Sequence, residues 1–273
     1  MKRAADSRGW RNRSQGFSLI EMMTATMIFL IISAAAFTLL VSSQKHYQTD
    51  SQMLNSFQEA RLGLDQIVRD VNGSGYPPVN QFTFNPGSHP VSQYVTSPFA
   101  WPNYLTNPAC QIGICTTPSD FDLIIEMQIT NQNCANRGVA WIRYRLVGTT
   151  LFRGVVCKTN SGSADPDGGT LGSLVPFVQN VMNNAPAAQI AQYQAAYPAM
   201  FPGGNPVPIF SYLCDTSTGP QRCASAASSD NSPANIRAVG VTLILAAPAP
   251  DAQTGRPLLV ELNGAGKRMN PRQ

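Results

Sequence analysis

Residues 17–41 read FSLIEMMTATMIFLIISAAAFTLLV, a predominantly apolar run with a single charge, Glu21. As a helix rising ~1.5 Å per residue, this segment spans roughly 37 Å, enough to cross a bilayer core with some tilt. A cleaved secretory signal has a shorter apolar run with a small-residue cleavage site after it. No A-x-A pattern fits cleanly here, and helical patterning continues past Val41. Beyond it the pattern turns amphipathic. Phe57, Ala60, Arg61, Leu64, Ile67, Val68 and Val71 recur at steps of three and four, which is one helical face. Gln58, Glu59, Asp65, Gln66 and Arg69 fall mainly on the other side, and Gly73, Gly75, Pro77 and Pro78 end the run. The spacing predicts one helix from about Phe17 to about Asn72, with a membrane half and a half packed on a globular head.

After Pro78 the pattern changes to that of strands. Residues 79–119 form a loop region rich in Pro and Asn. Strands are predicted at 121–129, 139–147, 150–157, 174–181, 209–214, 236–246 and 258–262. Gly148-Thr149 between the second and third is a hairpin signal. In the second strand Trp141, Arg143 and Arg145 share one face, and Ile142, Tyr144 and Leu146 the other. Residues 183–208, rich in Ala, Pro and Asn, read as a surface excursion with a short helix at 187–196. The expected class is α+β: a long N-terminal helix packed on an antiparallel head, single or split into two sheets. The chain then divides into a basic leader (1–16), a transmembrane helix (17–41), its amphipathic continuation (42–75) and a β-rich head (76–273).

The length of 273 residues allows one large domain or two small ones, and a core of real size. Charged residues make up 12%, about half the ~25% of an average soluble domain, against 43% apolar. That balance excludes a disordered charged tail. The formal charge of +4 is confined to the leader, where Lys2, Arg3, Arg8, Arg11 and Arg13 stand against Asp6. The basic balance is therefore a topology signal: cations just before an apolar span stay in the cytoplasm. It is no footprint for nucleic acid.

Glu21 is the position an ordinary anchor leaves unexplained. A carboxylate four residues into a span is costly and calls for a partner or a proton, or reaches back to the headgroups. Gly16-Phe17-Ser18-Leu19-Ile20-Glu21 resembles the prepilin cleavage and methylation motif of type IV pilins and pseudopilins. The resemblance implies that a prepilin peptidase cuts after Gly16 and that the new N-terminal Phe17 is methylated. It also implies that Glu21 neutralises the Phe17 amine of a neighbouring subunit, since each charge alone is costly in the membrane. Thr38 stands where many major pilins carry a helix-bending Pro, a departure that points to a minor subunit.

The helix end 59–70, closing in Gly75-Tyr76-Pro77-Pro78, looks like that of PilW-like minor pilins and of J-type pseudopilins of type II secretion. The strand segments Asp122-Leu123-Ile124-Ile125, 141–146 and 151–153, and the ending Lys267-Arg268-Met269-Asn270-Pro271, also resemble PilW-like heads. The family implies a non-enzymatic subunit, anchored once in the inner membrane with its head outside the cytoplasm, and part of a pilus after assembly. Its implied partners are the peptidase, other minor pilins, the major pilin, an inner-membrane assembly platform and the lipid bilayer. A pilus-borne adhesin or DNA receptor is a further reading. No nucleic acid and no cofactor are expected.

All six cysteines, Cys110, Cys115, Cys134, Cys157, Cys214 and Cys223, fall in the predicted head. An even count in an oxidising compartment reads as disulfides. Sequence proximity suggests Cys110–Cys115, Cys134–Cys157 and Cys214–Cys223, and the absence of a C-x2-C pair speaks against zinc. His46 and His89 belong to no metal or triad pattern. Asp165 and Asp167, in Asp165-Pro166-Asp167-Gly168-Gly169, offer oxygens to a calcium ion or form a plain Gly-rich turn. The loop lacks the twelfth-position Glu of an EF-hand. Asp215-Thr216-Ser217-Thr218-Gly219 loosely resembles an aspartic protease loop but has no second copy, so a turn between Cys214 and Cys223 is expected. The Trp141, Arg143 and Arg145 face is expected to be a solvated sheet face or a subunit contact.

Overall fold

A computed structural model describes residues 16–75, 99, 118–128, 140–157, 174–216, 219–223, 235–248, 250 and 258–268. The chain divides into two compact units, Met1–Asp50 and Ser51–Gln273. Helix α1, Leu19–Asn72, begins in the first and ends in the second. In the first unit its apolar side chains, among them Ile20, Phe29 and Leu39, are exposed. The threonine hydroxyls there do not go unpaired. Thr24, Thr26 and Thr38 donate to Glu21, Met22 and Ala34 carbonyls at 2.8–3.0 Å, which removes their cost in an apolar surrounding.

In the second unit α1 buries Ala60, Gly63, Leu64, Ile67, Asp70 and Val71, a 3.6-residue stripe. Arg61, placed on this face by spacing, is exposed, whereas Asp70 lies within it. The helix stops at Gly73-Ser74-Gly75. Gly75 is left-handed (φ 77°), and its N–H donates to Glu126 O at 2.9 Å.

The strands form two antiparallel four-stranded sheets. Sheet A runs β1 (Asp122–Met127), β2 (Ala140–Val147), β3 (Thr150–Cys157) and β4 (Leu174–Val178) in that order. Its β2–β3 hairpin turns at Gly148 with φ 60°, and Val147 faces Thr150. Sheet B has the order β6-β5-β7-β8, with β5 Phe210–Thr216, β6 Gly219–Arg222, β7 Ile236–Ala246 and β8 Leu259–Lys267. Asn180, left-handed at φ 59°, carries the chain out of sheet A, and Val181 then bridges to Leu245 of β7. The shared core holds Ile67 and Val71 from α1, Leu123, Ile142 and Tyr144 from sheet A, and Phe210, Val239 and Leu243 from sheet B.

Two expectations need correction. The segment 183–208 is no loose excursion. The short helix expected at 187–196 is present as α2, Ala187–Ala196, but with a 3-10 turn, Pro202–Gly204, the segment builds a second core from Ile190, Tyr193 and Phe201 against Ile244, Ala246 and Leu259. Its scarcity of strong apolar runs hid a few well-spaced anchors. Strand β8 continues past Leu262 to Lys267, through an Asn-Gly-Ala-Gly stretch that reads as a strand end. The turn expected between Cys214 and Cys223 is present: it joins β5 to β6, with Thr216 paired to Gly219.

Candidate functional site

The N-terminal segment comes first. Gly16, Phe17 and Ser18 precede the helix and are exposed, Phe17 to 86%. Ser18 occupies the N-cap position, and its backbone N–H donates to Glu21 Oε2 at 2.9 Å. A Glu at the third helical position reaching back in this way is half of a capping box. It places a carboxylate in the first turn of α1, where the helix leaves N–H groups unpaired and the dipole favours negative charge. Glu21 therefore has a local capping role, which the Ser18-x-x-Glu21 spacing encodes. Gly16, Phe17 and Glu21 lie together at the start of one helix.

A second group was missed from sequence. Asp70, on the buried stripe of α1, accepts from three side chains: Gln66 Nε2 at 2.7 Å, Tyr144 Oη at 2.5 Å and Arg153 Nη2 at 2.9 Å. Arg153 Nε donates to Tyr144 Oη at 3.0 Å, and the guanidinium lies 5.7 Å from the Tyr144 ring centre. The cluster ties α1 to β2 and β3. Burial, with the Asp70 charge adding to it, pushes the Tyr144 phenol well above its ordinary 10.0. Burial pulls the Arg153 guanidinium down, but Tyr144 and Asp70 outweigh that and hold it above its ordinary value. The only local signal was the i, i+4 spacing of Gln66 and Asp70.

The Trp141, Arg143 and Arg145 face corrects another expectation. Trp141 and Arg143 are 2% and 3% exposed. Arg143 forks onto Asp122 with contacts of 2.9 and 2.6 Å, and Trp141 Nε1 donates to Glu126 Oε1 at 3.0 Å. Arg145 lies 3.6 Å from the same Asp122. Strand alternation identifies which side chains share a face but not what the paired strand sets beside them. Here β1 places Asp122 opposite Arg145 and Glu126 opposite Trp141. Trp141 and Arg143 form a buried, charge-matched layer, while Arg145 at the edge of the face stays partly exposed.

Cys214 and Cys223 form a disulfide across the β5–β6 hairpin, and Cys157 is also disulfide-bonded. Cys110, Cys115, Cys134, His89 and the calcium candidates Asp165 and Asp167 lie outside the described residues. His46 is on α1 and exposed. Among the described residues no group of His, Cys, Asp and Glu is placed to hold a metal.

Residues 11–37 match the model of the prokaryotic N-terminal methylation motif. The chain carries that processing signal. The match takes in Gly16, Phe17 and Glu21 and stops at Phe37, short of the head. The motif implies processing by a prepilin peptidase, and the exposed apolar run of α1 that follows it is consistent with a membrane-anchored prepilin. No curated protein matches the chain. Among solved structures, a type IV-like pilin from Thermus thermophilus is similar at 12% identity and a TM-score of 0.36, covering 79% of this chain and 97% of that one.

Proposed function

We propose that this chain is a PilW-like minor pilin, a non-enzymatic subunit that helps prime or cap a type IV pilus. The observation that carries the reading is the methylation motif opening directly into α1, with Glu21 in its first turn and an unburied apolar surface behind it. After cleavage at Gly16, the Phe17 amine and Glu21 are opposite charges within one apolar layer. Pairing them between neighbouring subunits lowers the cost of both and fixes the axial register of the packed helices. The head then contacts other minor pilins and the major pilin, and an inner-membrane platform draws the subunit out of the bilayer. The chain sits first in the inner membrane, head outward, and then in the pilus.

The test is the intact, non-reduced mass of the membrane-purified protein with its N-terminal peptide sequenced. A start at Phe17, one added methyl and a mass short by six hydrogens support the reading and three disulfides together. A start at Met1, or beyond the apolar span, ends it. A J-type pseudopilin shares the same N-terminal chemistry and the same helix-end resemblance. Deletion separates the two: loss of surface pili and twitching supports the pilus role, and blocked release of folded exoproteins with intact pili supports the secretion role. A DNA receptor reading has lost its best surface, because Arg143 is committed to Asp122 and buried.

A further inference from the structure

The face of α1 that packs on the sheets changes character before the core begins. Gln52, Asn55, Ser56 and Glu59 follow at i, i+3, i+4 and i+7, so they continue toward the N-terminus the line that Ala60, Gly63 and Ile67 bury. Opposite them lie Gln179 and Asn180, where the chain leaves sheet A for its bridge to β7. Together they line a notch of about 290 Å³, floored by the buried Ala60 and Val178. Among the described residues none of these six polar side chains has a hydrogen-bonding or ion-pair partner within the chain.

The chemistry of the lining selects a ligand. Four carboxamides, each with two donors and an acceptor, match alternating main-chain N–H and C=O groups. Glu59 is the one charged group among the lining residues, so the complementary ligand carries a cation there. No Lys or Arg is present to hold an anion, and no aromatic ring to stack a sugar or base. The volume, at the low end for a binding pocket, admits only a few residues.

We propose that this notch binds a short extended peptide segment of another protein chain, its backbone on the carboxamides and a Lys or Arg on Glu59. The site lies within residues 51–273 and stands whether or not residues 17–41 act in assembly.

The test uses the full chain in detergent micelles, with the side-chain amide resonances of Gln52, Asn55, Gln179 and Asn180 assigned by Ala substitution. The probes are three: a blocked Gly-Lys-Gly tripeptide, the same peptide with Glu for Lys, and maltotriose. The proposal expects saturable shifts of these four amides with the Lys peptide, weaker ones with the Glu peptide and none with maltotriose. Glu59→Gln should weaken the Lys peptide about threefold, the scale of an exposed ion pair. It should leave the fold intact because Glu59 is exposed. Equal shifts with maltotriose would reassign the notch to a glycan. Shifts absent, scattered over the surface, or unchanged by Glu59→Gln would overturn the proposal.

Discussion

Asp70 is the residue on which the docking of α1 to sheet A turns. Its Oδ2 atom accepts from both Tyr144 and Arg153, and Oδ1 from Gln66, so the carboxylate is well satisfied despite 4% exposure. Replacing it leaves buried donors without an acceptor, which costs about 1–3 kcal/mol in a core. Asp70→Asn should therefore lower unfolding stability by ~2 kcal/mol, read from the denaturant midpoint at unchanged slope. A double-mutant cycle with Arg153→Met should show coupling of about 1 kcal/mol or more. Tyr144 and Tyr212 make a second prediction. Burial raises both phenols well above 10.0, with nearby carboxylates adding to it. Below that value both states keep the proton and stability is complete. Above it the unfolded chain releases protons that the folded chain retains, so stability falls as pH rises toward the folded values. The denaturant midpoint should be lower at about pH 11 than at about pH 8, and Tyr144→Phe should reduce that drop. An unchanged drop would remove Tyr144 from the account.

The elements divide into those visible from local pattern and those that needed a neighbour. α1 ends where the Gly-Ser-Gly signal predicted, and strands Thr150–Cys157 and Ile236–Ala246 match their expected bounds. Their cues are periodicity and turn residues, which act over a few positions. Strand β8 was cut short because its glycines read as punctuation. In the fold they are contact points with α1. A Cβ on Gly266 falls 2.6 Å from Val71 Cβ and 3.1 Å from Val68 O, and one on Gly264 falls 3.0 Å from the tips of Leu64 and Val68. Backbone and a β-branched carbon cannot yield as side-chain tips can. Gly266→Ala should thus cost about 1–3 kcal/mol and Gly264→Ala less, measured as thermal midpoints. The reverse order would show that β8 and α1 do not approach this closely.

Across the head as a whole, the apolar cores that join the two sheets and the lobe are supplemented by a few polar contacts of long sequence separation. Lys267 N donates to Asn72 Oδ1 at 2.8 Å, which ties the last strand to the end of the first helix. The lobe at 183–208 is held by Asn183, fully buried. Its Nδ2 donates to the carbonyls of Val207 and Thr242 at 3.1 and 2.9 Å, and its Oδ1 accepts from Ile244 N at 2.8 Å. Asn183→Ala removes all three and opens the lobe locally. Hydrogen exchange of the α2 amides should speed up while those of α1 and β2 hold. Uniform acceleration would mean that the lobe is no separate unit of stability.

The processing motif, the long helix, its stop signal and most strands followed from residue order, because caps, periodicity and hairpin turns are encoded within a few positions. The place of Asp70 in the core did not. Its partners Tyr144 and Arg153 stand 74 and 83 positions away. Nor did the burial of the Trp141 and Arg143 face, which depends on the strand registered beside it. A charge on an amphipathic pattern looks solvated until folding delivers its counter-charge, and that delivery belongs to the tertiary structure.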